Sequence, residues 1–379
     1  MKVLLLTNSF ENIVNGPAKF ANLILEINEK YPSYQIRILT EDVSPERLSS
    51  LAYVYKAELN YPRFAKPLGQ ILRMFIYYKQ AKRIRKDYPY DLLLYINAFN
   101  GLWASWVSPI PTAGMINDDN NLTATWGNFK LDRMWVKKMF FKQLEKLSAR
   151  SHRFIISNSD YLSRQLAEAY RLPASRLFRL YKAIDLSKIS YTPSRAFQSP
   201  VKILFVKADF QRGGLKDVAE ALSRLPDYSF LITIIGPHER FQKHIMSLFA
   251  DFTHVTVDFR GEQPQSVVQA CMGTYDLFCV PSYREALGVA NIEALSIGIP
   301  VITSWAGGIP EVMDQGNNGW LVQPGQPAGL TQAIRECITN ESLRLQKSES
   351  GRKFVERFSK AVMLEELIDI LNHGYHRTL

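Results

Sequence analysis

Glu285 and Glu293 stand eight residues apart, with Gly288 between them, in the stretch VPSYREALGVANIEALSIGIPVITS that runs from Val280 to Ser304. A carboxylate accepts hydrogen bonds from sugar hydroxyls, and a glycine at the mouth of a helix leaves free amides for an anion. A helix running through all eight residues would separate the two acids by about 12 Å along its axis, at 1.5 Å per residue. That spacing leaves room for a diphosphate, with a sugar at one acid and a ribose at the other. On an arbitrary helix two such acids are ordinarily solvated surface groups, so the flanking residues have to position them. They do so as strand, loop, helix, loop, strand: an apolar run at 277–280 breaks at Pro281, and helix formers follow from Leu287. Gly298-Ile-Pro300 then stops the helix, and the β-branched run 301–303 resumes.

The stretch resembles the paired-glutamate motif of retaining GT-B glycosyltransferases, the family-four enzymes also called glycosyl transferases group 1. The motif is filled here by Pro281, Ser282, Glu285, Gly288 and Glu293. The resemblance implies an α/β chain of two doubly wound, Rossmann-like domains facing each other across a cleft. It implies a nucleotide diphosphate sugar as donor, no cofactor and no metal. Carried over residue by residue, it places Glu285 at the sugar hydroxyls and Glu293 at the ribose, with Leu287, Gly288, Val289, Gly213 and Gly261 on the donor side. Family members also set an arginine, four residues, a lysine and a glycine after the first strand of the second domain, where the cations grip the diphosphate. Lys207, Arg212 and Gly213 keep that spacing with the two cations exchanged. Glu285, Lys207 and Arg212 are thus the implied catalytic set, the cations stabilising charge on the departing diphosphate. The acceptor hydroxyl would pass its proton to that phosphate, with retention at the anomeric carbon.

The amino-terminal half reads as the start of a doubly wound sheet: a strand at 3–6, a loop at 8–15, a helix at 18–29 capped by Asn15, and a strand at 35–40. The resembling enzymes carry two glycines in this loop. Gly16 is kept, whereas the second is Pro17, which has no N–H to offer. Further strands are expected at 91–96, 111–116, 154–156 and 177–180, around a helix at 160–170. The strand 111–116 ends in Asn117-Asp118-Asp119, where the resemblance expects histidine and aspartate facing the donor sugar. Asn117 can hydrogen-bond a hydroxyl but cannot titrate near neutral pH. Asp118 keeps its carboxylate, and also suits a helix cap. Gly16, Asn117 and Asp118 are therefore the expected acceptor or sugar side.

Residues 181–185 resemble the crossing between the two domains, with Lys182 and Ala183 substituted. The expected division is 1–184, a Ser-, Thr- and Pro-rich linker at 185–200, and 201–359, with a final helix at 360–379 returning to the first domain. The second half supplies strands at 201–206, 230–235, 255–259 and 319–322.

At 379 residues the chain is long enough for two cores, and its net charge of +10 favours anionic partners. Three cysteines without CxxC spacing suit a reducing compartment, and 1–6 is too short for a signal-peptide core. No apolar run spans a membrane, so the expected location is cytoplasmic, with peripheral attachment at the inner face. Residues 63–86 and 134–153 read as basic amphipathic helices. Either they lie on an anionic membrane surface, or they are ordinary surface helices whose apolar stripe faces the core. No nucleic-acid motif accompanies the charge, and no GxGxxG or HExxH occurs.

The function expected is sugar transfer from a nucleotide diphosphate donor to a saccharide, lipid-linked or small-molecule acceptor. The departures at Pro17, Asn117 and Ala183 leave a non-catalytic nucleotide-sugar-binding subunit as one alternative. An epimerase or phosphorylase on the same fold is another.

Overall fold

A computed structural model describes residues 1–11, 16–59, 69–123, 133–194 and 196–376. The chain falls into two units, Met1–Lys182 with Met363–Leu379, and Ala183–Val362. The first is built on seven strands: β1 (Lys2–Thr7), β2 (Gln35–Thr40), β3 (Val54–Lys56), β4 (Leu92–Tyr95), β5 (Thr112–Ile116), β6 (Phe154–Ser157) and β7 (Leu177–Arg179). They pair in parallel in the order β3-β2-β1-β4-β5-β6-β7. Continuous apolar runs such as Leu4-Leu5-Leu6 and Leu92-Leu93-Leu94 are buried on both faces, as helix-covered parallel strands require. The order reverses between β1 and β4, and ligands of such sheets bind outside the carboxyl ends of the strands at that point. There the helix Gly69–Ile84 sets Tyr77, whose hydroxyl donates to Glu41 Oε1 at 2.5 Å and lies 2.9 Å from Thr7 O. Arg73 holds the same carboxylate.

Two expectations for this unit change. Residues 18–29 form two helices, Gly16–Ile24 and Ile27–Lys30, instead of one. The reason is Asn28, whose side chain is drawn onto β2, donating to Ile36 O at 2.9 Å and accepting from Ile36 N at 2.6 Å. The expected cap Asn15 lies outside the described residues. The strand β3 was not expected: three residues with one buried side chain carry no periodicity to read. The terminal helix Lys360–His376 joins this unit, where Arg153 Nε donates to Gly374 O at 3.1 Å and Arg179 pairs with Glu366.

His152 follows the helix Arg133–Ser151 and is fully buried. Its Nε2 faces the Ala98 carbonyl at 2.9 Å and so carries the proton, while Nδ1 accepts from the Thr112 hydroxyl at 2.8 Å. Burial pushes its pKa down to about 4, against the opposing pull of the Ala98 carbonyl. The unfolded chain takes up this proton near pH 6.5 and the folded chain only near 4, so the contribution is complete above 6.5 and is lost as pH falls through that window. At 1.36 kcal/mol per unit the loss is about 3 kcal/mol. Denaturant unfolding is expected to show this drop between pH 7 and 4, and His152→Gln to flatten it. An equal drop in the variant would contradict the assignment.

The second unit has six parallel strands, β8 (Val201–Val206), β9 (Phe230–Ile235), β10 (Val255–Gly261), β11 (Leu277–Cys279), β12 (Val301–Ser304) and β13 (Trp320–Val322). Their order is β10-β9-β8-β11-β12-β13, with the reversal between β8 and β11. Residues 185–200, expected as a linker, belong with this unit. Thr192 N donates to Ile297 O at 2.7 Å, and Arg344 stacks over Phe197 at 4.2 Å. Main-chain bonding and cation–π contacts, the second from Arg352 to Tyr191, hold a segment whose composition shows neither.

Candidate functional site

The reversal between β8 and β11 brings two loops together. Lys207 continues β8, its N–H bonded to Ile235 O at 3.0 Å, and the chain then turns through Gly213, whose N–H donates to Asp209 O at 2.8 Å. The loop after β11 lies against this turn: Tyr283 N donates to Arg212 O at 2.8 Å. The Tyr283 hydroxyl donates to Asp217 Oδ1 at 2.8 Å, and Gly325 N donates to the other oxygen of that acid at 3.1 Å. Burial, followed by the Asp217 bond and charge, pushes the Tyr283 phenol up to about 12, so it stays a donor. A third loop latches the second, because Gly308 N donates to Glu285 O at 3.1 Å. The result is an ion pair between the Lys207 ammonium and the Glu285 carboxylate, both about one-quarter exposed (24% and 25%).

The helix Val289–Ile297 begins beside this pair. Its N-cap is Gly288 at φ 90°, and a Cβ there would lie 2.7 Å from Asn291 Nδ2 and 3.2 Å from Ile309 Cγ1. Both the left-handed backbone and the space therefore require glycine. The first-turn amides of this helix open beside Lys207 and Glu285, an arrangement suited to a diphosphate. Leu287 is buried and Val289 half-buried around that opening.

Not every expected residue joins the pair. Because the helix starts only at Val289, Glu285 lies in the loop, and the 12 Å separation along a common helix does not hold. Glu293 is 7% exposed, and its Oε1 accepts from the side-chain amides of Gln265 and, at 3.0 Å, Gln269. Arg212 is exposed, with Nε 3.9 Å from Asp209 Oδ2; its carbonyl takes part in the loop contact described above. Gly213 packs against Phe205 and the Lys207 stem. Gly261 ends β10, two strands from β8, where its carbonyl accepts from Gly236 N at 2.7 Å.

In the first unit Gly16 begins its helix, with the Lys182 ammonium 3.7 Å from where a Cβ would project. Asn117 O accepts from Asn158 Nδ2 at 2.8 Å. Asp118 is exposed, and its Oδ1 caps a turn by accepting from Asn120 N at 2.9 Å. Tyr283, Asp217 and the two glutamines were not foreseen. They reach their partners across long sequence separations, Asp217 and the glutamines from helices and Tyr283 from a loop, and no local spacing marks them.

The model of the family described as Glycosyl transferases group 1 matches residues 191–354. The putative colanic acid biosynthesis glycosyltransferase WcaL of Escherichia coli K12 is 28% identical over 201 residues, 50% of this chain and 49% of that protein. The chain spans about half the length of such curated relatives. Among solved structures, sucrose-phosphate synthase from Thermosynechococcus elongatus superposes with a TM-score of 0.74 at 15% identity, covering 98% of each chain. HepE of Anabaena in complex with UDP-glucose gives 0.70 at 18% identity, covering 98% of this chain and 99% of its own. Both parallel α/β units thus carry the fold of GT-B glycosyltransferases, and residues 191–354 match the family described as Glycosyl transferases group 1.

Proposed function

We propose that this protein transfers a sugar, with retention and without a metal, from a nucleotide diphosphate donor to a saccharide or lipid-linked acceptor. The observation that carries the reading is the Lys207–Glu285 pair at the opening of the Val289–Ile297 helix. An arriving diphosphate takes the Lys207 ammonium and the helix amides, which frees the Glu285 carboxylate to accept the hydroxyls of the attached sugar. As the glycosidic bond breaks, charge grows on the phosphate, and the same groups bind it more tightly in the transition state than before. The acceptor hydroxyl passes its proton to the departing phosphate, so the transfer needs no protein base.

Uridine donors are the first to test, since HepE was solved with UDP-glucose, and polysaccharide acceptors follow from the name of WcaL. A panel of uridine, guanosine and adenosine diphosphate sugars, with and without acceptor, should give acceptor-dependent release of one nucleoside diphosphate and a product of retained configuration. Binding without release on any acceptor would point to a binding subunit. Sugar interconversion without acceptor would point to an epimerase.

The first unit offers a surface for an anionic leaflet. The helix Leu102–Val107 exposes Trp106 (54%) and Val107, Phe75 stacks on Trp103 at 4.8 Å, and Phe140 is exposed on the helix Arg133–Ser151. Exposed Lys79, Lys82, Arg83, Lys137 and Lys138 accompany them. The helix Gly69–Ile84 has no acid, and the one acid of Arg133–Ser151, Glu145, is buried against Tyr170 and Asn121. Residues 63–68 of the expected basic stretch lie outside the described residues. Among the described residues no helix is long and apolar enough to cross a membrane. Burying an aromatic side chain contributes about 1.5–3 kcal/mol. Trp106→Ser with Phe140→Ser is therefore expected to cut sedimentation with phosphatidylglycerol vesicles at least tenfold. Equal binding to neutral vesicles, or an unaffected double variant, would leave these helices as plain surface.

A further inference from the structure

The helix Val289–Ile297 is buried from its third residue onward, and three of those buried side chains are polar. Glu293 takes two glutamine amides, and Ser296 donates to Glu293 O at 2.6 Å. Asn291 differs. It is 4% exposed, yet its Oδ1 is buried without a hydrogen-bond partner among the described residues. The amide sits at the mouth of the helix, with Nδ2 2.7 Å from where a Gly288 Cβ would project. A buried acceptor without a donor is costly, and an apolar residue of the same size would remove that cost. The orphaned oxygen lies on the one turn that also offers amides for a diphosphate and opens beside Lys207 and Glu285.

We propose that Asn291 is a specificity residue for the donor, its side-chain oxygen accepting a hydrogen bond from a hydroxyl of the nucleotide sugar. The assignment rests on the glycosyl-transfer reading and deepens it. The hydroxyl belongs to the ribose or to the transferred pyranose, which present the same donor group. An amide suits this position where a carboxylate does not, because it accepts a hydroxyl without repelling the neighbouring diphosphate. A site built around a ligand hydroxyl discriminates strongly, since losing either partner leaves the other unpaired.

Calorimetric titration of the wild type and Asn291→Leu tests this with three ligands: the nucleoside diphosphate, its 2′,3′-dideoxy form and the nucleotide sugar. Asn291→Leu is expected to bind the nucleotide sugar about tenfold more weakly. If the ribose is read, the nucleoside diphosphate weakens equally and the dideoxy form binds both proteins alike. If the pyranose is read, only the nucleotide sugar weakens. Asn291→Asp keeps the shape and adds charge, so it weakens all three ligands, and unchanged affinities there would place the side chain away from the phosphates and overturn the assignment. Equal affinity of Asn291→Leu and wild type for the nucleotide sugar overturns it while leaving the transfer reading standing. A wild type that binds none of the three overturns both.

Discussion

Glu285→Gln is expected to lower the rate of sugar transfer about 10²–10³-fold, the range seen when one preorganised polar group is removed from a transition-state site, while nucleoside diphosphate affinity stays equal or becomes tighter. The two halves of this outcome come from one ion pair. In the resting protein the Glu285 carboxylate neutralises Lys207. Glutamine has the same shape but no charge, so the ammonium stays uncompensated and available to phosphate. The sugar hydroxyls meet a weaker acceptor that cannot respond as positive charge grows on the sugar, so the loss falls on the chemical step. Single-turnover rates and calorimetric affinities on the same preparation separate the two. An unchanged rate would remove Glu285 from the mechanism.

Gly307→Ala is expected to destabilise the second unit by about 1.5–3.5 kcal/mol and to abolish most transfer. Gly307 has φ 58°, and a Cβ there would overlap the Glu285 carbonyl. The left-handed backbone costs alanine about 1–2 kcal/mol. Relieving the overlap also breaks the bond from Gly308 N to Glu285 O, worth about 0.5–1.5 kcal/mol. The glycine acts by letting one backbone lie on another, which sets where Glu285 points. Denaturant unfolding and transfer assays should both register the change. A variant with wild-type stability and rate would show that the loop does not hold the acid.

Both effects show how the site relates to the sequence. The strands of the sheet that carries it were legible because a buried parallel strand is a short apolar run, and β8 and β9 begin and end where their runs do. The helix behind Glu285 was legible as well, though not its first turn. Gly288 at φ 90° delays the helix to Val289 and leaves Glu285 in a loop, where the spacing of the two acids no longer follows helical geometry. The pairing of Lys207 with Glu285 could not be read from residues 78 apart. It depends on three loops bonded through their main chains, and a main-chain bond leaves no mark in residue type. The glutamines at Glu293 are hidden for a similar reason: they come from the helix Gln265–Met272, which carries no motif of its own. No spacing singles out Asn291, and it gains meaning only from an oxygen with no partner among the described residues.

The most direct measurement is a crystal structure of the protein with a nucleoside diphosphate bound. The account predicts phosphate oxygens within hydrogen-bond distance of the amides at the start of the Val289–Ile297 helix and of the Lys207 ammonium, with Glu285 released from its ion pair. A diphosphate bound elsewhere on the chain, with Lys207 still on Glu285, would contradict it.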